Sequence, residues 1–135
     1  MFKVRFVTPK GLYEEDSDVS LLNIVTPDGQ RGLLSNHVPI VMPLVVSKLT
    51  IVRKSSRTDF AITRGMLHFQ DNVATVLVDA VERKIAIDIP RAKRAKEKAL
   101  TVLEQENTDW DNERAKYALE KANNRLMVAG VELGE

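Results

Sequence analysis

Phe2, Val4 and Phe6 alternate with Lys3 and Arg5, the two-residue period of a strand with one buried face. Pro9-Lys10-Gly11 ends that run. A second apolar stretch, residues 21–25, stops at Pro27-Asp28-Gly29, a dense turn signal. Residues 45–52 lead into the polar loop Arg53-Lys54-Ser55-Ser56-Arg57, and residues 60–62 and 66–69 follow. Asp71-Asn72 then reads as a hairpin turn into residues 73–78. Short strands at this spacing predict a sandwich or a barrel. Pro39 and Pro43 cannot donate to a central ladder and mark an edge or a loop. Glu14-Glu15-Asp16 reads as a solvated loop, and Asp28-Gly29-Gln30-Arg31-Gly32 as a β-turn.

The period changes near Ile87. Ahead of it lie four of the six glycines and four of the five prolines, whereas the stretch between Pro90 and Gly130 holds neither. Ala92, Ala95, Ala99 and Leu103 recur at helical spacing, with Leu100 and Val102 beside them. Asn107-Thr108-Asp109 breaks the pattern and offers an N-cap. Ala115, Ala118 or Leu119, Ala122, Leu126 and Ala129 then repeat the stripe up to Gly130, a suitable helix stop. Two helices with a short connection predict an antiparallel hairpin. Its alanine-rich seam permits close approach but buries little area, so the hairpin is expected to be weakly held and able to detach as a unit. The predicted organisation is a β-domain over 1–87 and a helical hairpin over 88–135.

Composition narrows the chemistry. A chain of 135 residues suffices for one ordinary domain or two small units. The absence of cysteine excludes disulfides, zinc-thiolate sites, iron–sulfur clusters and thiol nucleophiles. A net charge of +1 leaves no strong footprint for nucleic acid. No apolar run approaches the roughly 20 residues that span a bilayer, and the alternating start lacks the apolar core of a signal peptide. The chain therefore reads as soluble. His37 and His68 are the only histidines. A Ser35–His37 pair has no strand–elbow–helix context, so no catalytic residue is assigned. Neither a Walker pattern nor a dinucleotide fingerprint occurs.

The most charged feature is Arg91-Ala-Lys93-Arg94-Ala-Lys96-Glu-Lys98. Helical geometry spreads these side chains over a polar face, either a solvated surface or a site for an acidic partner. Arg114, Lys121 and Arg125 share a flank of the second helix. A hairpin could turn that flank towards Arg91, and such a cluster could hold a polyphosphate through charge-assisted hydrogen bonds. Asp88, two residues ahead of Pro90, is explained by an N-cap alone.

A small β-domain followed by an alanine-rich hairpin resembles the epsilon subunits of bacterial F-type ATP synthases. The resemblance covers essentially the whole chain. Val7-Thr8-Pro9, the segment Gly29 to Pro39 (GQRGLLSNHVP), Asp71 to Leu77 (DNVATVL) and Arg125 to Ala129 (RLMVA) carry it by their order and spacing. It implies an N-terminal ten-stranded β-sandwich followed by a C-terminal antiparallel two-helix hairpin. It also implies a non-catalytic place in the central rotor stalk, bound to the gamma subunit, touching the c-ring, and coupling proton-driven rotation to ATP synthesis in the alpha–beta hexamer. Such a subunit sits peripherally at the cell membrane on the cytoplasmic side, without inserting. Gln30, Arg31 and His37 take the place of its ring-facing loop. The hairpin of such subunits inhibits ATP hydrolysis, and Lys93, Arg94 and Lys96 are the expected contacts with the beta subunits.

Some family members bind regulatory ATP through Ile/Leu-Asp-x-x-Arg-Ala, which Ile87-Asp88-Ile89-Pro90-Arg91-Ala92 fits. The resemblance extends that site to Glu82, Asp88, Arg91, Arg114, Lys121 and Arg125. Lys121 and Lys98 stand where strong binders carry arginine, and lysine lacks the planar fork that grips phosphate bidentately. Pro90, too, is unusual in the motif. Any ATP binding is therefore expected to be weak and regulatory, and no cofactor is required. The alternative is a free-standing ATP-sensing module that uses the same hairpin.

Overall fold

Among the described residues, 1–131 of a computed structural model, ten strands precede two helices. The strands are β1 (Phe2–Thr8), β2 (Gly11–Val19), β3 (Leu21–Thr26), β4 (Gly29–Leu34), β5 (Ile40–Leu44), β6 (Ser47–Val52), β7 (Arg57–Ile62), β8 (Gly65–Gln70), β9 (Val73–Val78) and β10 (Val81–Arg83). They form two five-stranded sheets, ordered β2-β1-β9-β8-β5 and β10-β7-β6-β3-β4. The expected ten-stranded sandwich is thus present. Alternation built it: Phe2, Val4 and Phe6 of β1 point inward, as do Leu22 and Ile24 of β3, Leu67 and Phe69 of β8, and Ala74 and Val76 of β9. Phe6 and Phe60 meet at a centroid separation of 4.6 Å in one continuous core.

Two stretches depart from the sequence reading. Glu14-Glu15-Asp16 is no solvated loop: it lies within β2, and Asp16 is buried. The strand was hidden because it lacks apolar alternation, bulges twice against β1 and carries Asp18 at φ 58°. Gly29 to Gly32 belong to β4, so the turn is confined to Pro27-Asp28 and Gly29, at φ 120°, opens the strand. Pro43 falls within β5, an edge strand, where a missing N–H is tolerated.

Chain contacts divide the molecule into Met1–Arg83 and a second unit that begins at Lys84, a few residues ahead of the Ile87 boundary read from composition. Residues 132–135 of the expected second domain lie outside the described residues. After the short turn Lys84–Ala86 comes α1 (Ile89–Glu104), which Asp88 caps by accepting the Arg91 N–H at 3.0 Å. Thr108 caps α2 (Asp109–Val128), accepting from the Asp111 N–H at 3.1 Å. Gly130, at φ 89°, closes it, with its own N–H on the Met127 carbonyl and that of Val131 on the Leu126 carbonyl, the paired bonds of a left-handed helix stop. Ala92, Ala99, Ala115, Ala122 and Leu126 are buried, as the stripe predicts. Asn124 and Val128 are also buried, so the end of α2 is covered on more than one face.

Candidate functional site

The sandwich register produces a surface that no single strand reveals. Pro43 pairs with Met66, Met66 with Leu77, Leu77 with Val7, and Val7 with Leu12. Pro43, Met66, Leu77 and Val7 face away from the core, because their strand neighbours Met42, Leu67, Val76 and Phe6 face into it, and Leu12 lies exposed beside them. An apolar row therefore crosses all five strands of the first sheet, with Leu12 56%, Met66 40% and Leu77 44% exposed. Beside it runs the row Val41, His68, Thr75, Arg5 and Glu15, in which Arg5 Nε meets Glu15 at 3.1 Å. A row of this kind, bordered by charge, is the pattern of a partner-binding face. Beside its inner members Val7 and Leu77 lies a hollow of about 340 Å³, lined also by Pro9 and Gly65 with Arg64 and Asp79. Gly65 is required there, since a Cβ would stand 2.0 Å from the Leu77 carbonyl oxygen.

Gln30 and Arg31 sit exposed at the start of β4, the free edge of the second sheet, rather than in a loop. His37 lies in the turn beyond the far end of that strand. Its Nδ1 is 2.7 Å from the Val38 carbonyl, and its ring stands edge-on to Phe69 at 5.9 Å.

Within the hairpin, α1 and α2 enclose a groove of about 630 Å³. Ala95, Ala99, Ala115 and Ala118 line it with Val102 and Tyr117, and Lys98, Arg114 and Lys121 contribute three cations. The Lys121 ammonium lies 4.4 Å from the Tyr117 ring centroid, a cation–π contact. The structure thus joins Arg114 and Lys121 with Lys98. Asp88 and Arg91 stand together at the other end of α1 through their capping bond, outside the groove lining. Arg125 is half-buried on α2, and Glu82 belongs to β10 of the sandwich unit. Lys93 and Arg94 are exposed, and Lys96 is partly covered.

Asp16, buried on β2, belongs to a charged cluster that joins the edge strands β2 and β10 of the two sheets. Arg83 of β10 donates from both Nε and Nη2 to Glu14 of β2, each at 2.8 Å. Arg53 donates to Asp16 Oδ1 at 2.5 Å and to the Ser17 carbonyl at 3.2 Å. Burial pushes Asp16 up, the adjacent Glu14 carboxylate adds to the rise, and Arg53 only partly offsets it, leaving its pKa at about 6. Burial also acts upward on Glu14, but its bonds to Arg83 and Asp16 and the nearby guanidinium charges outweigh this and hold it below its ordinary value. On β7, burial is likewise outweighed for Asp59 by the Thr50 hydroxyl at 2.8 Å and by Arg57, so its pKa is lowered. Sequence reading missed both the apolar row and this cluster. Each contributes one or two residues per strand, and only the register brings them together.

Comparison with known proteins agrees with this architecture. Residues 1–84 match the family model described as the ATP synthase delta/epsilon chain β-sandwich domain, and residues 86–130 match that of the long α-helix domain of the same chains. A protein of Lactobacillus helveticus named ATP synthase epsilon chain is 39% identical over 135 residues, covering 95% of this chain and 92% of its own. A protein of Levilactobacillus brevis with the same name is 40% identical over 133 residues, covering 96% and 94%. The backbone also resembles a chain in a Euglena gracilis mitochondrial ATP synthase containing OSCP, F1 and c-ring, at TM-score 0.75 and 20% identity over 90% of this chain and 76% of that one. A chain in the central stalk and c-ring of the Tetrahymena thermophila mitochondrial ATP synthase aligns at TM-score 0.66 and 15% identity, covering 94% and 95%.

Proposed function

This chain belongs to the ATP synthase delta/epsilon family, and we propose that it serves as a non-catalytic subunit of the central stalk, joining the rotating c-ring to the catalytic hexamer. The five-strand apolar row carries this reading. A side chain such as Leu77 gains about 1.5–3 kcal/mol when fully covered, and five such positions in line, bordered by the Arg5–Glu15 pair, suit a long-lived protein neighbour. In this reading the neighbour is the gamma subunit, Gln30, Arg31 and His37 face the c-ring, and the assembly lies at the cytoplasmic face of the cell membrane.

The hairpin then regulates. Lys93, Arg94 and Lys96 would engage acidic segments of the beta subunits, and complementary charge of this kind sets docking specificity and salt sensitivity. The groove holding Lys98, Arg114 and Lys121 supports a weak regulatory site for ATP. Its aliphatic floor and Tyr117 suit a base and its cations suit phosphates, but the two lysines act as point charges rather than forks. A ligand favours the folded hairpin only by its differential affinity for that form.

The test reconstitutes a catalytic complex lacking this subunit with the full chain or its variants. Leu77→Asp with Met66→Asp should abolish co-sedimentation while the isolated chain keeps its fold. Undiminished binding would refute the assignment of the row. Lys93→Glu, Arg94→Glu and Lys96→Glu together should leave binding intact and relieve inhibition of ATP hydrolysis. Full inhibition by that variant would remove the regulatory role of those residues.

A further inference from the structure

Three segments distant in the chain are tied together at one end of the sandwich by a single amide side chain. Asp71 and Asn72 form the two-residue turn between β8 and β9, at φ 53° and 62°, and Gln70 pairs with Val73 across it. Two successive left-handed residues make a primed hairpin turn, whose second position most favours glycine. Asparagine is less at ease there than glycine, but its side chain makes bonds that glycine cannot. Asn72 Oδ1 accepts the Asn36 N–H at 2.7 Å, and Asn72 Nδ2 donates to the Met1 carbonyl at 3.2 Å. The Asn72 backbone carbonyl also accepts the Lys3 N–H at 3.1 Å. One residue thus fastens the start of β1 and the turn after β4 to the β8–β9 hairpin.

The turn held in this way is the one that carries His37. The bonds of His37 itself are local: its N–H reaches the Leu34 carbonyl at 3.3 Å, and its Nδ1 lies 2.7 Å from the Val38 carbonyl. The bond from Asn36 to Asn72 instead spans 36 residues. Asn36 is also left-handed, at φ 64°, so the chain reverses sharply where that bond is made. The His37 ring leans on Phe69, which is fully buried, while Leu34 and Val38 are 61% and 68% exposed. Held at Asn36 and braced on Phe69, the turn presents Leu34, His37 and Val38 in one arrangement.

We propose that Asn72 is a positioning residue that presets the His37 turn for docking, so that the partner does not have to order it. The proposal rests on the reading that Gln30, Arg31 and His37 face the c-ring. A preordered turn spares association the entropy of fixing a loop. The second bond adds a reference point, because Met1 leads into β1, and Val7 of β1 belongs to the apolar row. Asn72 therefore sets the His37 turn relative to the strand that bears the other contact surface.

The experiment combines NMR of the full chain with its binding to membrane vesicles that carry the ATP synthase lacking this subunit. In the wild type the Asn36 amide should exchange more slowly than in an unstructured peptide of the same sequence. Asn72→Gly suits the left-handed turn and removes both side-chain bonds. It should leave β8 and β9 exchange unchanged while Asn36 exchange rises roughly fivefold, the equivalent of one ordinary hydrogen bond. The His37 ring protons should shift towards free histidine, and binding should weaken. Asn72→Asp keeps an acceptor for the Asn36 N–H and tolerates the left-handed backbone, so it should restore Asn36 protection and recover binding. His37→Ala should weaken binding without altering Asn36 exchange. An unprotected Asn36 amide in the wild type would overturn the proposal even if no variant folds. So would unchanged His37 shifts in Asn72→Gly, or a released turn that binds as well as wild type although His37→Ala does not. Undiminished binding by His37→Ala would overturn the c-ring reading itself, and the docking role with it.

Discussion

The sandwich and the hairpin are built on opposite economies of contact. The sandwich buries Phe6, Phe60 and Phe69 completely, together with leucines, isoleucines and valines from both sheets. The hairpin seam is mainly alanine, at Ala92, Ala99, Ala115 and Ala122. Hydrophobic stabilisation scales with area at about 25 cal/mol per Å², so a methyl seam contributes a small fraction of what an aromatic core does. The hairpin compensates locally, through its Asp88 and Thr108 caps, its glycine stop, and Asn107, which donates to the Val102 and Gln105 carbonyls in the connector. One unit is a platform held by long-range packing. The other is held by short-range bonds and a thin methyl seam.

Phe60→Ala tests that contrast most severely. Removing a fully buried ring should cost the sandwich about 3–5 kcal/mol, lowering its urea midpoint sharply while hairpin amide exchange changes far less. Equal destabilisation of both units would show that they unfold as one. Asp88→Ala should do the reverse on a smaller scale. Loss of the cap costs about 1 kcal/mol, to be seen as faster exchange in the first turn of α1 with the sandwich midpoint unmoved. The smallest effect belongs to the exposed Lys116–Glu113 pair, 3.6 Å apart on α2. Lys116→Ala should change helix stability by no more than about 0.5 kcal/mol, read by circular dichroism at low salt. A larger loss would mean that the hairpin leans on surface charge more than its seam and caps imply.

How much of this was legible in the sequence depended on whether the signal was local. The alternation of Phe2, Val4 and Phe6 and the 3/4 spacing of Ala92, Ala95 and Ala99 are properties of consecutive residues, and both elements formed where they predicted. Asp88, Thr108 and Gly130 likewise act within a few residues of themselves. β2 escaped notice because Leu12 and Tyr13 are followed by Glu14-Glu15-Asp16, which interrupts any apolar period; the strand exists because β1 supplies its partners. The apolar row escaped for the same reason, since Pro43, Met66, Leu77, Val7 and Leu12 become neighbours only through four separate pairings. The family resemblance reached the ten strands because it carries that long-range information, whereas periodicity alone stopped at a sandwich or barrel.

The pairing of β1 with β9 has a consequence for how the chain acquires its shape. It is parallel and joins Lys3 to Val73 and Val7 to Leu77, so the first strand cannot complete its sheet until the ninth has been made. Closing a loop of that length carries an entropic cost before any contact repays it. During synthesis β1 pairs only with β2 while its other edge waits for most of the domain. The hairpin, whose bonds span four residues and whose helices follow each other directly, faces no such delay. Refolding should accordingly show a fast helical phase and a slower one for the sandwich, set by the distance between its first and ninth strands.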